Sequence, residues 1–134
     1  MSKYTIIVCD HIHKSGLDLL SKDAEVEMLN LADLPKDALK KELHKADVAI
    51  TRSSTDVDTS FLESAPKLRA VVRAGVGVDN VDIESSSKKG VVVMNVPTAN
   101  TIAAVELTCE HILSAIRNYP DANTHLKVER KWKR

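Results

Sequence analysis

Residues 68–100 read LRAVVRAGVGVDNVDIESSSKKGVVVMNVPTAN, and the fold is decided there. The apolar opening, Leu68–Val72, predicts a strand that delivers Arg73 into Ala74-Gly75-Val76-Gly77. That glycine-spaced turn exposes backbone N–H groups and lets a ligand approach the chain closely. Asp79-Asn80 makes a second turn, Val81–Lys89 a short helix, and Gly90 opens a second strand, Val91–Asn95, which stops before Pro97. Strand, helix, strand in so short a span is the repeating unit of a parallel sheet with right-handed crossovers. In such open sheets a ligand sits beyond the carboxyl ends of the strands, so the turn is a candidate carboxylate or phosphate site.

The preceding residues repeat the rhythm. Lys3–Cys9 is a β-branched apolar run, followed by a loop Asp10–His13 and a helix around Ser15–Lys22. Glu25–Leu29 reads as a second strand, Pro35–Lys45 as a helix with Ala38, Leu39, Leu43 and Ala46 at helical spacing, and Asp47–Thr51 as a third strand. Asp58–Ala65 is a short helix capped by Asp58 or Thr59. Five strands alternating with helices predict an α/β domain with a flavodoxin-like parallel sheet. After Asn100 the rhythm breaks into one long helix to Asn118, whose apolar residues (Ile102, Val105, Cys109, Ile112, Leu113, Ile116) cover more than one stripe. That pattern predicts packing on two surfaces. A further helix follows Pro120.

Composition bounds the function. The 134 residues are 43% hydrophobic with a formal net charge of zero, enough apolar content for a core and no global field toward nucleic acid or membrane. The basic tail (Lys127, Arg130, Lys131, Lys133, Arg134) reads as a solvated face. Cys9 and Cys109 fall in a strand and a helix far apart in sequence, which suits reduced thiols and a cytoplasmic protein. No leader-like or membrane-length apolar segment is present in these residues.

Arg73 beside Gly75-Val76-Gly77 has two readings, a tight turn with a surface cation or an anion site. Arg52 favours the second, because it ends a different strand at the same predicted rim. Paired guanidinium donors suit a dianion. Gly75-x-Gly77 lacks the third glycine of a dinucleotide fingerprint, and no phosphate-loop lysine motif exists. His11-x-His13 lacks an obvious third metal ligand, His111 reads as a packing or surface residue, and Glu106 as a paired acid or interface residue. A phospho-acceptor domain with Asp10 is excluded, since the third strand ends in Thr51-Arg52 where an acceptor acid is needed.

Arg73–Asp82 (RAGVGVDNVD), Lys89–Pro97 (KGVVVMNVP), Asn100 and Ala104–Cys109 (AVELTC) closely resemble the D-isomer-specific 2-hydroxyacid dehydrogenases, most of all their phosphoglycerate-oxidising branch. The resemblance implies a substrate-binding domain over 1–98. Residues 99–134 would be a hinge helix and the start of an NAD-binding Rossmann domain. It implies that Arg52 and Arg73 hold a substrate phosphate, that the N–H groups of Gly75, Val76 and Gly77 hold its carboxylate, and that Asn100 touches the substrate. Val76 would also lie near the nicotinamide of NAD. Trp132–Arg134 resembles a segment that approaches a partner subunit, and without its cofactor lobe the helix at 101–117 is expected to expose an apolar face, so a homo-oligomer is expected through the exposed C-terminal helices. The family's glycine motif and its catalytic arginine, glutamate and histidine lie beyond Arg134, so this polypeptide alone is expected to be inactive. Other readings are a glycerate- or lactate-type member, or a free-standing anion-binding module without catalysis.

Overall fold

The computed structural model describes residues 4–131, which fall into two compact units divided between Pro97 and Thr98. The Trp132–Arg134 segment, on which the partner-subunit expectation rests, lies outside the described residues.

In the first unit the β-branched runs form strands β1 (Tyr4–Val8), β2 (Val26–Asn30), β3 (Val48–Thr51), β4 (Ala70–Arg73) and β5 (Val92–Asn95). They pair entirely in parallel, in the order β2-β1-β3-β4-β5. Helices α1 (Lys14–Leu20), α2 (Lys36–Glu42, extended by a 3-10 turn Leu43–Lys45), α3 (Thr59–Ser64) and α4 (Ile83–Lys88) make the crossovers. The sequence expectation of a five-stranded flavodoxin-like sheet holds, with boundaries shifted by one or two residues.

Right-handed crossovers decide which face each helix covers. The β1-to-β2 step runs one way along the sheet and the later steps run the other. Helices α2, α3 and α4 therefore share one face, and they contact one another in sequence. Under them lies the core: Ile7, Ala49 and Val71 from successive strands, against Leu39, Leu43, Phe61, Leu62 and Val81. Each of these side chains larger than alanine stabilises the fold by roughly 1.5–3 kcal/mol on burial. The opposite face is less covered, and Val92 and Met94 of β5 are exposed.

The short helices are fixed by their first turns. Asp58 Oδ1 accepts from the Phe61 amide at 2.7 Å, and Asp82 Oδ1 accepts from the Ser85 amide at 2.9 Å. Two hydrogen bonds from Ser85, through its hydroxyl and its amide, hold the Asp82 carboxyl below its ordinary range.

The second unit contains α5 (Thr101–Ile116), then α6 (Tyr119–Asn123), which continues as a wider turn over Thr124–Val128. Asn100 occupies the N-cap position of α5, but its side chain makes no capping bond. Within this chain α5 exposes its apolar residues, as expected of the helix at 101–117, and the two packing surfaces its pattern predicts are not formed among the described residues. None of its residues is buried, and Ile102, Val105, Ile112, Leu113 and Ile116 are all exposed. An apolar pattern records what a helix is suited to bury, and a partner must still be there to cover it.

Candidate anion site at the carboxyl rim of the sheet

Strand register settles where the arginines stand. Thr51 of β3 pairs with Arg73 of β4, so Arg52, the next residue, leaves the sheet at the same carboxyl rim. Asn95, the last residue of β5, pairs with Arg73 on its other side. Arg52 is exposed and Arg73 half-buried. Among the described residues neither guanidinium has a carboxylate within ion-pair distance. Two uncompensated cations at one rim favour an anion there.

The glycine turn is pinned by its carbonyls. The Val96 amide donates to Gly75 O at 2.9 Å, and Asn95 Nδ2 donates to Val76 O at 2.7 Å. A trans peptide directs its N–H opposite its C=O. The amides of Val76 and Gly77 therefore point away from the end of β5, and they have no hydrogen-bond partner among the described residues. Gly75 departs from expectation. Its N–H donates to Arg73 O at 2.8 Å, closing a three-residue turn, so only Val76 and Gly77 offer free amides.

Gly75 has a different use. The Arg73 guanidinium folds over it, and a Cβ there would lie 2.8 Å from Arg73 Cζ. Gly77 is crowded in the same manner by Asp79, whose Oδ1 would lie 2.7 Å from its Cβ. Glycine at both positions is thus a matter of space for neighbouring charged groups. Arg73 Nε and Thr51 Oγ1, opposed across β3 and β4, are buried without a partner among the described residues.

Arg52 is positioned through its backbone. Its amide donates to Asp10 Oδ2 at 2.5 Å, its carbonyl accepts from Asn80 Nδ2 at 2.7 Å, and its Nη1 donates to the carbonyl of His11 at 3.2 Å. Asp10 is buried and also accepts from the Thr55 amide and hydroxyl. Sequence reasoning took Asp10 only as a rejected phospho-acceptor and Asn80 only as a turn residue. The signal for Asp10 was a carboxylate directly after a buried strand, at the rim where ligands sit.

The remaining candidates have other occupations. His13 caps α1 by accepting from Ser15 N, and His11 Nε2 lies 3.4 Å from Asp33 Oδ1. His111 and Glu106 are exposed on α5. Cys9 is buried and Cys109 exposed, both free. A groove of about 620 Å³ lies along the amino ends of the strands, lined by Tyr4, Val48, Leu68, Arg69 and Val92, away from Arg52 and Arg73.

Asn100 belongs to the second unit, so the set gathered in the first is Arg52, Arg73 and Gly75–Gly77. This rim can fix a small anion by two guanidinium groups and two amides. The two arginines stay protonated and act as donors alone, while the Asp10 carboxylate at this rim is occupied by the Arg52 amide and by the Thr55 amide and hydroxyl.

Residues 6–130 match the family described as D-isomer specific 2-hydroxyacid dehydrogenase, catalytic domain. The chain is 41% identical over 122 residues to a D-3-phosphoglycerate dehydrogenase of Methanocaldococcus jannaschii, covering 91% of this chain and 23% of that protein. It is 38% identical over 134 residues to a D-3-phosphoglycerate dehydrogenase of Mycobacterium tuberculosis, covering 100% and 25%. Among solved structures it resembles the NAD+-bound 3-phosphoglycerate dehydrogenase of Entamoeba histolytica, with a TM-score of 0.70, 28% identity, and coverage of 84% of this chain and 39% of that one. The chain therefore spans about a quarter of the length of the curated relatives it matches.

Proposed function

The chain belongs to the D-isomer specific 2-hydroxyacid dehydrogenase family, and from that premise we propose that it is the substrate-binding portion of an NAD-dependent enzyme oxidising 3-phospho-D-glycerate to 3-phosphohydroxypyruvate, in the supply of L-serine. The observation that carries this reading is the pair Arg52 and Arg73 on one rim, adjacent to the free amides of Val76 and Gly77. Two guanidiniums suit a phosphate, and a backbone cradle suits the carboxylate at the other end of a three-carbon acid. Asn100 would supply a further substrate contact. The relatives named D-3-phosphoglycerate dehydrogenase support the same assignment.

NAD, when bound, would accept the hydride from C2 of the substrate. This chain offers it the apolar side chain of Val76, which is 39% exposed beside the free amides and suits a flat ring. The residues present include no Gly-x-Gly-x-x-Gly loop for the cofactor's pyrophosphate. The part of this chain in the reaction is to hold both ends of the acid and so fix C2 between them. Proton transfer would fall to groups outside these 134 residues, which would make up a Rossmann domain entered through α5. The apolar residues exposed on α5 would be covered there or in a homo-oligomer.

Calorimetric titration of the chain with 3-phosphoglycerate tests the reading. Wild type should bind weakly, and Arg73→Ala should abolish the heat. Equal heats for the two would remove Arg73 from the site. No NADH should form from 3-phosphoglycerate with this chain alone, and turnover would contradict the proposed division of labour.

A further inference from the structure

Asp10 is the only carboxylate among the described residues that is buried. It stands at the end of β1, yet every bond it makes goes to the segment that follows β3. Oδ2 accepts from the amides of Arg52 (2.5 Å) and Thr55 (3.2 Å), and Oδ1 accepts from the Thr55 hydroxyl (2.7 Å). Asn80, from the loop after β4, grips the same segment by its carbonyls, donating to Arg52 O at 2.7 Å and Thr55 O at 2.6 Å. Arg52 is thus held at its N–H from one side and at its C=O from the other, which fixes the direction in which its Cα–Cβ bond leaves the rim.

We propose that Asp10 is a positioning residue for phosphate recognition, acting through the backbone of Arg52 with Asn80 as the opposing grip. This rests on the reading of Arg52 as a phosphate ligand given above. The carboxylate is suited to the task because it accepts several amide bonds at once in a fixed plane, and burial makes each of them costly to break. An arginine on a free loop would spend rotamer and backbone entropy on reaching the phosphate, whereas a clamped one is set before the ligand arrives.

The test compares binding of 3-phospho-D-glycerate with binding of D-glycerate to the 134-residue chain, with the thermal midpoint followed in parallel. The readout is the preference for the phosphorylated ligand, which a general loss of structure would not move selectively. Asp10→Ala should cut that preference about tenfold while leaving D-glycerate binding unchanged. Asp10→Asn should restore it, because its Oδ1 can accept both amides while its Nδ2 donates to the Thr55 hydroxyl. Thr55→Val, which removes one bond without opening a cavity, should lower the preference in part, and it serves where Asp10→Ala does not fold.

Arg52→Ala separates the two ideas. If it removes the preference and the Asp10 and Thr55 variants do not, the positioning role is wrong and the phosphate reading stands. If Arg52→Ala leaves the preference intact, or wild type shows none, the phosphate reading fails and the positioning role falls with it. A uniform loss for both ligands in Asp10→Ala and Thr55→Val, with no rescue by Asn, would also overturn the inference.

Discussion

The guanidinium of Arg73 lies over the α-carbon of Gly75, its Cζ 2.8 Å from where a Gly75 Cβ would stand. The two residues share a three-residue turn, so the arginine folds back on the glycine it introduces.

Gly75→Ala should therefore act on the arginine more than on the fold. The obstructing atoms belong to the far end of a flexible side chain, which can swing aside. Stability should change by less than about 1 kcal/mol, while affinity for 3-phosphoglycerate falls about tenfold as Arg73 is displaced. Thermal melts and calorimetry on one variant separate the two effects. A large loss of stability would show that the turn itself needs glycine.

Helix α3 provides a graded test of the core. Phe61 is 2% exposed and lies beneath the helical layer, so Phe61→Ala should cost about 3–5 kcal/mol by denaturant unfolding. Asp58→Ala removes only the bond to the Phe61 amide and should cost about 1 kcal/mol. Comparable losses in the two would mean that the cap carries more than one hydrogen bond's worth of structure.

The two thiols should differ sharply in reactivity. Cys109 is exposed, whereas Cys9 is buried and its thiol is pushed up to about 12, first by burial and then by the Asp10 charge beside it. Mass spectrometry after brief alkylation at neutral pH should show Cys109 modified and Cys9 intact until the chain unfolds. A raised value means that folding favours the protonated thiol. Its contribution to stability is complete below the ordinary value of 9.0 and declines as pH climbs from there toward 12. Cys9→Ala should flatten that alkaline decline.

Asp79 sets a carboxylate against Gly77, next to one of the free amides. Asp79→Asn removes a negative charge from the edge of the proposed anion site. Affinity for 3-phosphoglycerate should rise about threefold at low ionic strength, with the gain vanishing in high salt. An unchanged affinity at low salt would place the bound anion away from Gly77.

Much of this architecture was legible because β-branched runs and helix-capping acids are local signals. Lys3–Cys9 and Asp47–Thr51 announce strands, and Asp58 announces a helix, without reference to anything distant. The rim pairing of Arg52 with Arg73 followed from the parallel alternation alone. What could not be read was who bonds to whom. A glycine-spaced turn predicts bare amides, but that the Gly75 amide closes on Arg73 O is a matter of dihedral angles. Asp10 looked like any loop acid, since its partners lie 42 and 45 residues away. The pattern of α5 told of apolar faces and left their cover unspecified.

Strand β5 has a neighbour on one side only, yet its last residues hold the carbonyls of the glycine turn through Val96 N and Asn95 Nδ2. The rigidity of the glycine loop is therefore borrowed from an edge strand, where a sheet is prone to fray. Whatever peels the outermost strand away loosens the loop with it, and whatever seals that edge stiffens it. Hydrogen exchange at the Val96 amide, whose bond to Gly75 O ties the loop to the end of β5, should then track the opening of that strand, so that local unfolding at the border of the sheet would set how long an acid held there stays bound.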